Sequence, residues 1–124
     1  MIHLDLHDPR PIYEQVVDQL EMLIARNILQ ADEQLPSVRQ LAMELSLNHN
    51  TIQKAYSELL SRKEIYSVRG KGNFVSGNCN AIQQRRLEQI RQEIAGLLQQ
   101  AKEFGASITQ CNELLESLME VDRV

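Results

Sequence analysis

The chain has 124 residues, room for one compact domain or for a small domain with an appendage. It is 43% apolar and 24% charged, which argues against a disordered or fibrous chain, and its formal charge of −4 has the wrong sign for a ligand made of phosphates. No apolar run approaches the roughly 20 residues of a bilayer span. The opening Met1-Ile2-His3-Leu4-Asp5-Leu6 lacks the basic head and apolar run of a signal peptide, so a cytoplasmic protein without a membrane partner is expected. Cys79 and Cys111 have no neighbouring His or Cys at metal-ligand spacing and read as reduced thiols. His3 and His7 sit among acids and Pro9 with no third ligand nearby, which predicts a solvated segment, no metal and no cofactor.

In chain order, Pro11 opens a helical pattern as an N1 residue. Ile12, Val16, Leu20, Ile24 and Ile28 repeat every four residues, widened by Val17 and Leu23, as the buried face of a first helix. Residues 30–36 read as a loop. Ser37 and Gln40 form a capping-box pair, and Val38, Leu41, Ala42 and Leu45 follow as a short second helix. Ser46-Leu47-Asn48 is a tight turn with Asn48 placed to cap a third helix, whose inner face is Ile52, Ala55, Tyr56, Leu59 and Leu60. The opposite face carries Asn50, Gln53, Lys54, Ser57 and Ser61, with no acid until Glu58 at its flank. Glu64–Val68 alternates with period two, Arg69-Gly70-Lys71-Gly72 supplies a turn, and Asn73–Val75 returns, which predicts a β-hairpin with a basic tip.

Ser76–Asn80 is turn-prone and reads as a linker. From Ala81 the chain is helical again, with an apolar stripe of Leu87, Ile90, Ile94, Leu97, Leu98, Ala101 and Phe104. Gly105 is placed as a C-cap, and Ser107 with Gln110 repeats the capping box. Ile108, Cys111, Leu114, Leu115, Leu118 and Met119 form the stripe of a last helix. The expected fold is mainly α with a small β-hairpin: a winged helix-turn-helix over residues 1–76 and a two-helix dimerisation arm over 77–124. An exposed apolar face of that size marks an interface, and symmetric pairing is the commonest way to cover it. The competing reading folds both helices back onto the N-terminal domain.

Charge is unevenly spread. Residues 1–33 carry two basic and seven acidic side chains, a net −5. Residues 34–76 carry six basic against three acidic, a net +3, and residues 77–124 carry five against seven, a net −2. The positive part is the helix-turn-helix and hairpin, where a duplex would dock. In that arrangement the third helix enters the major groove and offers Asn48, His49, Asn50, Thr51, Gln53 and Lys54. Asn and Gln pair with adenine, and Lys54 reaches a guanine or a phosphate. Arg39, early on the second helix, reaches the phosphate backbone or a base. The tip Arg69, Gly70, Lys71 and Gly72 lies along phosphates or enters the minor groove. No Ser/His/Asp or Cys/His constellation, paired carboxylates or cofactor fingerprint argues for an enzyme. A different class, a winged-helix scaffold whose C-terminal stripe recruits another protein, is the alternative.

Four ordered motifs carry a family resemblance: Pro11-Ile12-Tyr13-Glu14-Gln15-Val16, Leu35-Pro36-Ser37-Val38-Arg39-Gln40-Leu41-Ala42, Asn48-His49-Asn50-Thr51-Ile52-Gln53-Lys54-Ala55-Tyr56 and Arg69-Gly70-Lys71-Gly72-Asn73-Phe74-Val75. Over residues 11–75 the chain resembles the GntR family of bacterial transcription regulators, and its short two-helix tail resembles the YtrA subfamily. That resemblance implies a homodimeric repressor of a double-stranded DNA operator, often of a transporter operon. It also implies that Arg39, Asn48 to Thr51, Gln53, Lys54 and Gly70 to Gly72 lie at DNA. The family commonly has Pro-Gly at Ala31-Asp32, Gly at Ser46, Pro at His49 and Gly at Lys63, where this chain differs. The 48 residues from Gly77 make an arm but not a private ligand pocket, which leaves the dimer interface as the place for any effector. Whether a small-molecule effector exists stays open.

Overall fold

The structure, a computed structural model, describes residues 2–121, with the backbone alone for Val121. The expected domain limits at residues 1 and 124 lie outside them. Among the described residues the elements run α1 (Ile12–Ala25), α2 (Val38–Leu45), α3 (His49–Ser61), β1 (Ile65–Val68), β2 (Gly72–Val75), α4 (Cys79–Glu103) and α5 (Ile108–Val121). By its contacts the chain divides into two units, Met1–Gln84 and Arg85–Val124.

In the first unit the apolar stripes of three helices meet in one core. Val16, Val17, Leu20 and Ile24 of α1, Leu41 and Ala42 of α2, and Ile52, Ala55, Tyr56 and Leu59 of α3 are buried together. Leu29, Leu35, Ile65, Val75 and Ile82 complete it. Each fully buried Leu or Ile contributes about 1.5–3 kcal/mol. Tyr56 is wholly buried, and its hydroxyl donates to the Pro36 carbonyl at 2.6 Å. Burial, and then the charge of Glu44, pushes that phenol above its ordinary pKa. Leu60, expected on the inner face, is only half-buried.

α1 is shorter than its periodicity predicts. Pro11 occupies the N-cap, one residue before N1. The helix stops at Ala25 because Asn27 takes a left-handed φ of 59°, and Ile28 N–H turns back to the Leu23 carbonyl at 2.9 Å. Ile28 is thereby thrown outward and Leu29 enters the core in its place. α2 and α3 end the same way, at Ser46 (φ 54°) and Lys63 (φ 61°), with Leu47 N–H on the Ala42 carbonyl and Glu64 N–H on that of Leu59. α4 ends at Gly105 (φ 98°) with Ala106 N–H on the Ala101 carbonyl. All four are Schellman closures, and only one has the glycine that makes a left-handed residue free of strain. Asp32 is left-handed too, at φ 66°. The three family glycines that this chain lacks therefore fall at Asp32, Ser46 and Lys63, each with positive φ.

The capping boxes form as expected. Gln40 and Gln110 N–H each donate to the Oγ of Ser37 and Ser107 at 3.1 Å. The two glutamine side chains accept from the serine N–H groups at 2.9 and 2.8 Å. The expected loop at 30–36 is only partly one. Asp32 N–H donates to the Val75 carbonyl at 2.7 Å, Val75 N–H to that of Glu33, and Leu35 N–H to that of Asn73, both at 2.9 Å. This segment thus edges the antiparallel β1–β2 hairpin, whose register pairs Ile65 with Val75 and Val68 with Gly72. The pairing is through backbone, so the polar side chains of 31–34 show no alternation.

A strap precedes α1. Ile2 and Leu4 pack on the core, and Gln15 binds Asp5 through both its amide groups, accepting at 2.8 Å and donating at 2.9 Å. Gln19 does the same for the backbone of His3. Arg10 pairs with Asp8 at 2.9 Å and with Asp18. The Arg10 guanidinium holds the Asp8 carboxyl below the usual carboxylate range.

An ion pair crosses the core boundary. Arg62, just past α3, donates to Glu21 of α1 at 2.9 Å and to Glu58 at 2.9 Å. Glu21 is only 1% exposed. Partial burial works against the charge on Arg62, but the two carboxylates outweigh it and raise its pKa. The linker is shorter than expected, since α4 starts at Cys79 and its Ile82 is buried in the first unit. Cys79 and Cys111 are both free thiols.

In the second unit α4 and α5 join through the Gly105 turn without packing along their lengths. Leu87, Ile90, Ile94 and Leu97 of α4 are exposed, as are Phe104, Ile108, Leu114 and Leu118. Leu98, Ala101 and Leu115 are half-buried, and among the described residues of this unit Cys111 alone is buried.

Two outcomes test this account. Ser46→Gly and Lys63→Gly should each raise unfolding free energy by about 1 kcal/mol in urea titrations, because a Cβ is disfavoured in the left-handed region by that order. Asp32→Gly should gain less, since it forfeits a hydrogen bond from Tyr66 at 2.8 Å. Arg62→Ala should cost about 3 kcal/mol by taking its guanidinium from the buried Glu21, while Glu21→Leu with Arg62→Met together should cost clearly less. Equal losses for the single and double variants would refute the ion-pair account.

Candidate nucleic-acid interface

The turn between α2 and α3 is built from the left-handed Ser46 and the N-cap Asn48. Asn48 Oδ1 accepts from Asn50 N–H at 2.7 Å, so this side chain serves the helix start and keeps only its amide nitrogen for a ligand. His49, Asn50, Gln53 and Lys54 are exposed along α3, and Thr51 is half-buried. Arg39 and His49 line one shallow groove together with Ala42, Met43, Ser46 and Leu47. Asn50, Thr51 and Lys54 line a second with Pro11, Ile12 and Tyr13 from the start of α1. The expected helix residues are thus gathered, in two groups, around the first turns of α3.

The wing residues Arg69, Gly70, Lys71 and Gly72 line neither groove and stand exposed at the hairpin tip. Lys71 N–H donates to the Val68 carbonyl at 2.9 Å, with Gly70 at φ 78° in the third position of the turn, where type II turns place glycine. Gly72 has φ 119°, and a Cβ there would come within 3.2 Å of Gln34 Nε2. That nitrogen donates to the Lys71 carbonyl at 2.7 Å and holds the tip against the edge segment. Tyr66 stacks on Phe74 with ring centroids 5.6 Å apart. Its hydroxyl donates to Asp32, which, ahead of burial, raises the Tyr66 pKa.

The electrostatics differ from a plain count. Arg62 is consumed by Glu21 and Glu58, so it adds nothing to the docking surface. Glu58, the one acid on α3, is turned to Arg62. Among the described residues Arg39, Lys54, Lys63, Arg69 and Lys71 make no ion pair, which leaves five cations on the helix-turn-helix and wing for an outside partner. Sequence reasoning missed Gln34, which lies outside the hairpin, and Tyr13, which enters there only as part of the Pro11–Val16 motif.

Three helices, a capped tight turn and a hairpin, with cations on the exposed polar side, define a winged helix-turn-helix transcription regulator that binds DNA. Residues 12–75 match the family described as bacterial regulatory proteins, gntR family. The chain belongs to that family. It is 31% identical to the HTH-type transcriptional repressor YtrA of Bacillus subtilis (strain 168), over 95% of this chain and 92% of the repressor. A crystal structure of a transcriptional regulator from Oenococcus oeni superposes with a TM-score of 0.82 at 28% identity, covering 96% of this chain and 99% of that one. The DNA-binding domain of AraR in complex with operator ORX1 superposes with a TM-score of 0.55 at 28% identity, covering 60% of this chain and 96% of that domain. The family accords with the expectation of a regulator and not an enzyme, and the near-complete match to YtrA accords with the YtrA-type tail.

Proposed function

We propose that the chain is a cytoplasmic homodimeric repressor that reads a palindromic operator with two copies of α3. The observation that carries the dimer is the arm. A row of Leu and Ile side chains on α4 and α5, with Phe104 in the turn between them, is exposed, Phe104 at 93% and Leu97 at 63%, and no partner among the described residues of its own unit covers it. A second copy supplies an identical apolar stripe, and a two-fold pair covers both at once. The operator reading is supported by the unpaired cations around α3 and the wing and by the likeness to an operator-bound domain. No helix among the described residues is long and apolar enough to cross a membrane. Arg39, Asn48, His49, Asn50, Thr51, Gln53, Lys54, Arg69, Gly70, Lys71 and Gly72 form the proposed contact set. Repression follows by occlusion of RNA polymerase, and the resemblance points to a transporter operon as the target.

Sedimentation at micromolar concentration should show a species of twice the 14.2 kDa chain mass. A single species at the chain mass would remove the arm-to-arm dimer. With duplexes enriched from a random pool, Arg39→Ala should lose about 1–3 kcal/mol of affinity and flatten the dependence on salt. Unchanged isotherms across a salt series would take Arg39 out of the contact set.

A further inference from the structure

Lys54 is the only Lys or Arg within α3, and a lysine on an open helix face is ordinarily a mobile point charge. Here it is not left free. Its Nζ lies 4.2 Å from the centroid of the Tyr13 ring, on the first turn of α1. We propose that Tyr13 is a positioning residue for DNA recognition: its ring face holds the Lys54 ammonium in place to meet a phosphate or base acceptor of the duplex. The proposal rests on the reading of α3 as the DNA-facing helix.

Three features of the surroundings carry it. First, the natural competitor for Lys54 is Glu58, one helical turn on, which would neutralise the ammonium. Glu58 is instead bound by the Arg62 Nε at 2.9 Å, and Lys54 makes no ion pair among the described residues. Second, a ring attracts a cation through its quadrupole without cancelling its charge, so Lys54 is oriented yet keeps its full charge for a polyanion. A carboxylate in the place of Tyr13 would orient it and quench it together. Third, the ring itself is anchored. Tyr13 is half-buried against the core that joins Val16, Val17 and Leu20 to Ile52, Ala55 and Leu59, so its position relative to α3 is set by packing. The ammonium meets the ring on one side and opens to a groove lined by Asn50 and Thr51 on another. Among the described residues the tyrosine hydroxyl reaches only Glu14, at 3.5 Å, so the ring face and not the hydroxyl is the working part.

The test is a double-mutant cycle on a labelled duplex enriched from a random pool by the wild-type protein, with Tyr13→Phe, Tyr13→Leu, Lys54→Met and the pair Tyr13→Leu/Lys54→Met. Tyr13→Phe should bind as wild type. Tyr13→Leu, which keeps apolar bulk but loses the ring, should weaken binding about threefold to tenfold, with a thermal midpoint close to that of Tyr13→Phe. In the Lys54→Met background Tyr13→Leu should have no further effect. The proposal is overturned if Tyr13→Leu binds as tightly as Tyr13→Phe, or if its loss persists without Lys54, since the ring would then act only in helix packing. Should Lys54→Met itself leave affinity and salt dependence unchanged, the reading of α3 at Lys54 fails, and the proposal with it.

Discussion

The surface proposed for recognition depends on a buried charge that stabilises little on its own. Glu21 sits inside the α1–α3 contact, where an unpaired carboxylate would cost several kcal/mol. Arg62 offsets that burial from the C-terminal end of α3, an end whose partial negative charge also favours a cation. The consequence reaches beyond stability. Arg62 takes Glu58 as well, and that removes the acid of α3 from competition for Lys54. The same guanidinium therefore fixes the helix to its support and engages the one acid of α3. A hydrophobic pair in its place would hold α1 to α3 as firmly, but would leave Glu58 free to pair with Lys54.

A second constraint is how the chain turns. Four helices close with a left-handed residue, and Asn27, Ser46 and Lys63 fill three of those places without being glycine. Such residues strain the backbone by about 1 kcal/mol each, less for Asn, which tolerates this region best. The Schellman hydrogen bonds and the core contacts of the residues that follow over-determine the turn, so it forms anyway. Asp32 recovers part of its strain through the Tyr66 hydroxyl, whereas Lys63 has no such return from its side chain. The geometry demanded of a helix-turn-helix is thus set by where the next apolar residue must land, with glycine an advantage and not a requirement.

This division also explains what was legible in the sequence. Apolar periodicity located α1, α2, α3 and the arm helices, because a stripe needs only the side-chain pattern. Capping boxes located the starts of α2 and α5, because their chemistry is local. The edge segment at 31–35 was invisible, since its hydrogen bonds run backbone to backbone and the side chains of 31–34 are all exposed, with only Leu35 turned into the core. The end of α1 was missed because Ile28 continues the four-residue step and only the turn at Asn27 breaks it. At the candidate site the residue types around the turn were readable, and their grouping into two grooves was not. Nor was the diversion of Arg62 to Glu21, a contact between residues 41 positions apart. Charge counting treats every lysine and arginine as available, and long-range pairing decides which are.

The distribution of charge bears on how two copies would work together. With Arg62 withdrawn, each copy presents only five unpaired cations on its helix-turn-helix and wing among the described residues, beside an acidic first helix. Non-specific affinity for duplex scales with the phosphates neutralised, so one such unit alone holds DNA weakly. Linking two units makes the second contact intramolecular, which multiplies overall affinity by about 10²–10⁴ when the geometry allows both to engage. On the proposed dimer, that gain applies only where two half-sites stand at the right separation. A head with more free cations would bind any duplex and blur this difference. On that proposed dimer the net charge of −4 and the exposed arm are parts of one arrangement: weak heads would be useful for discrimination because the arm would couple them.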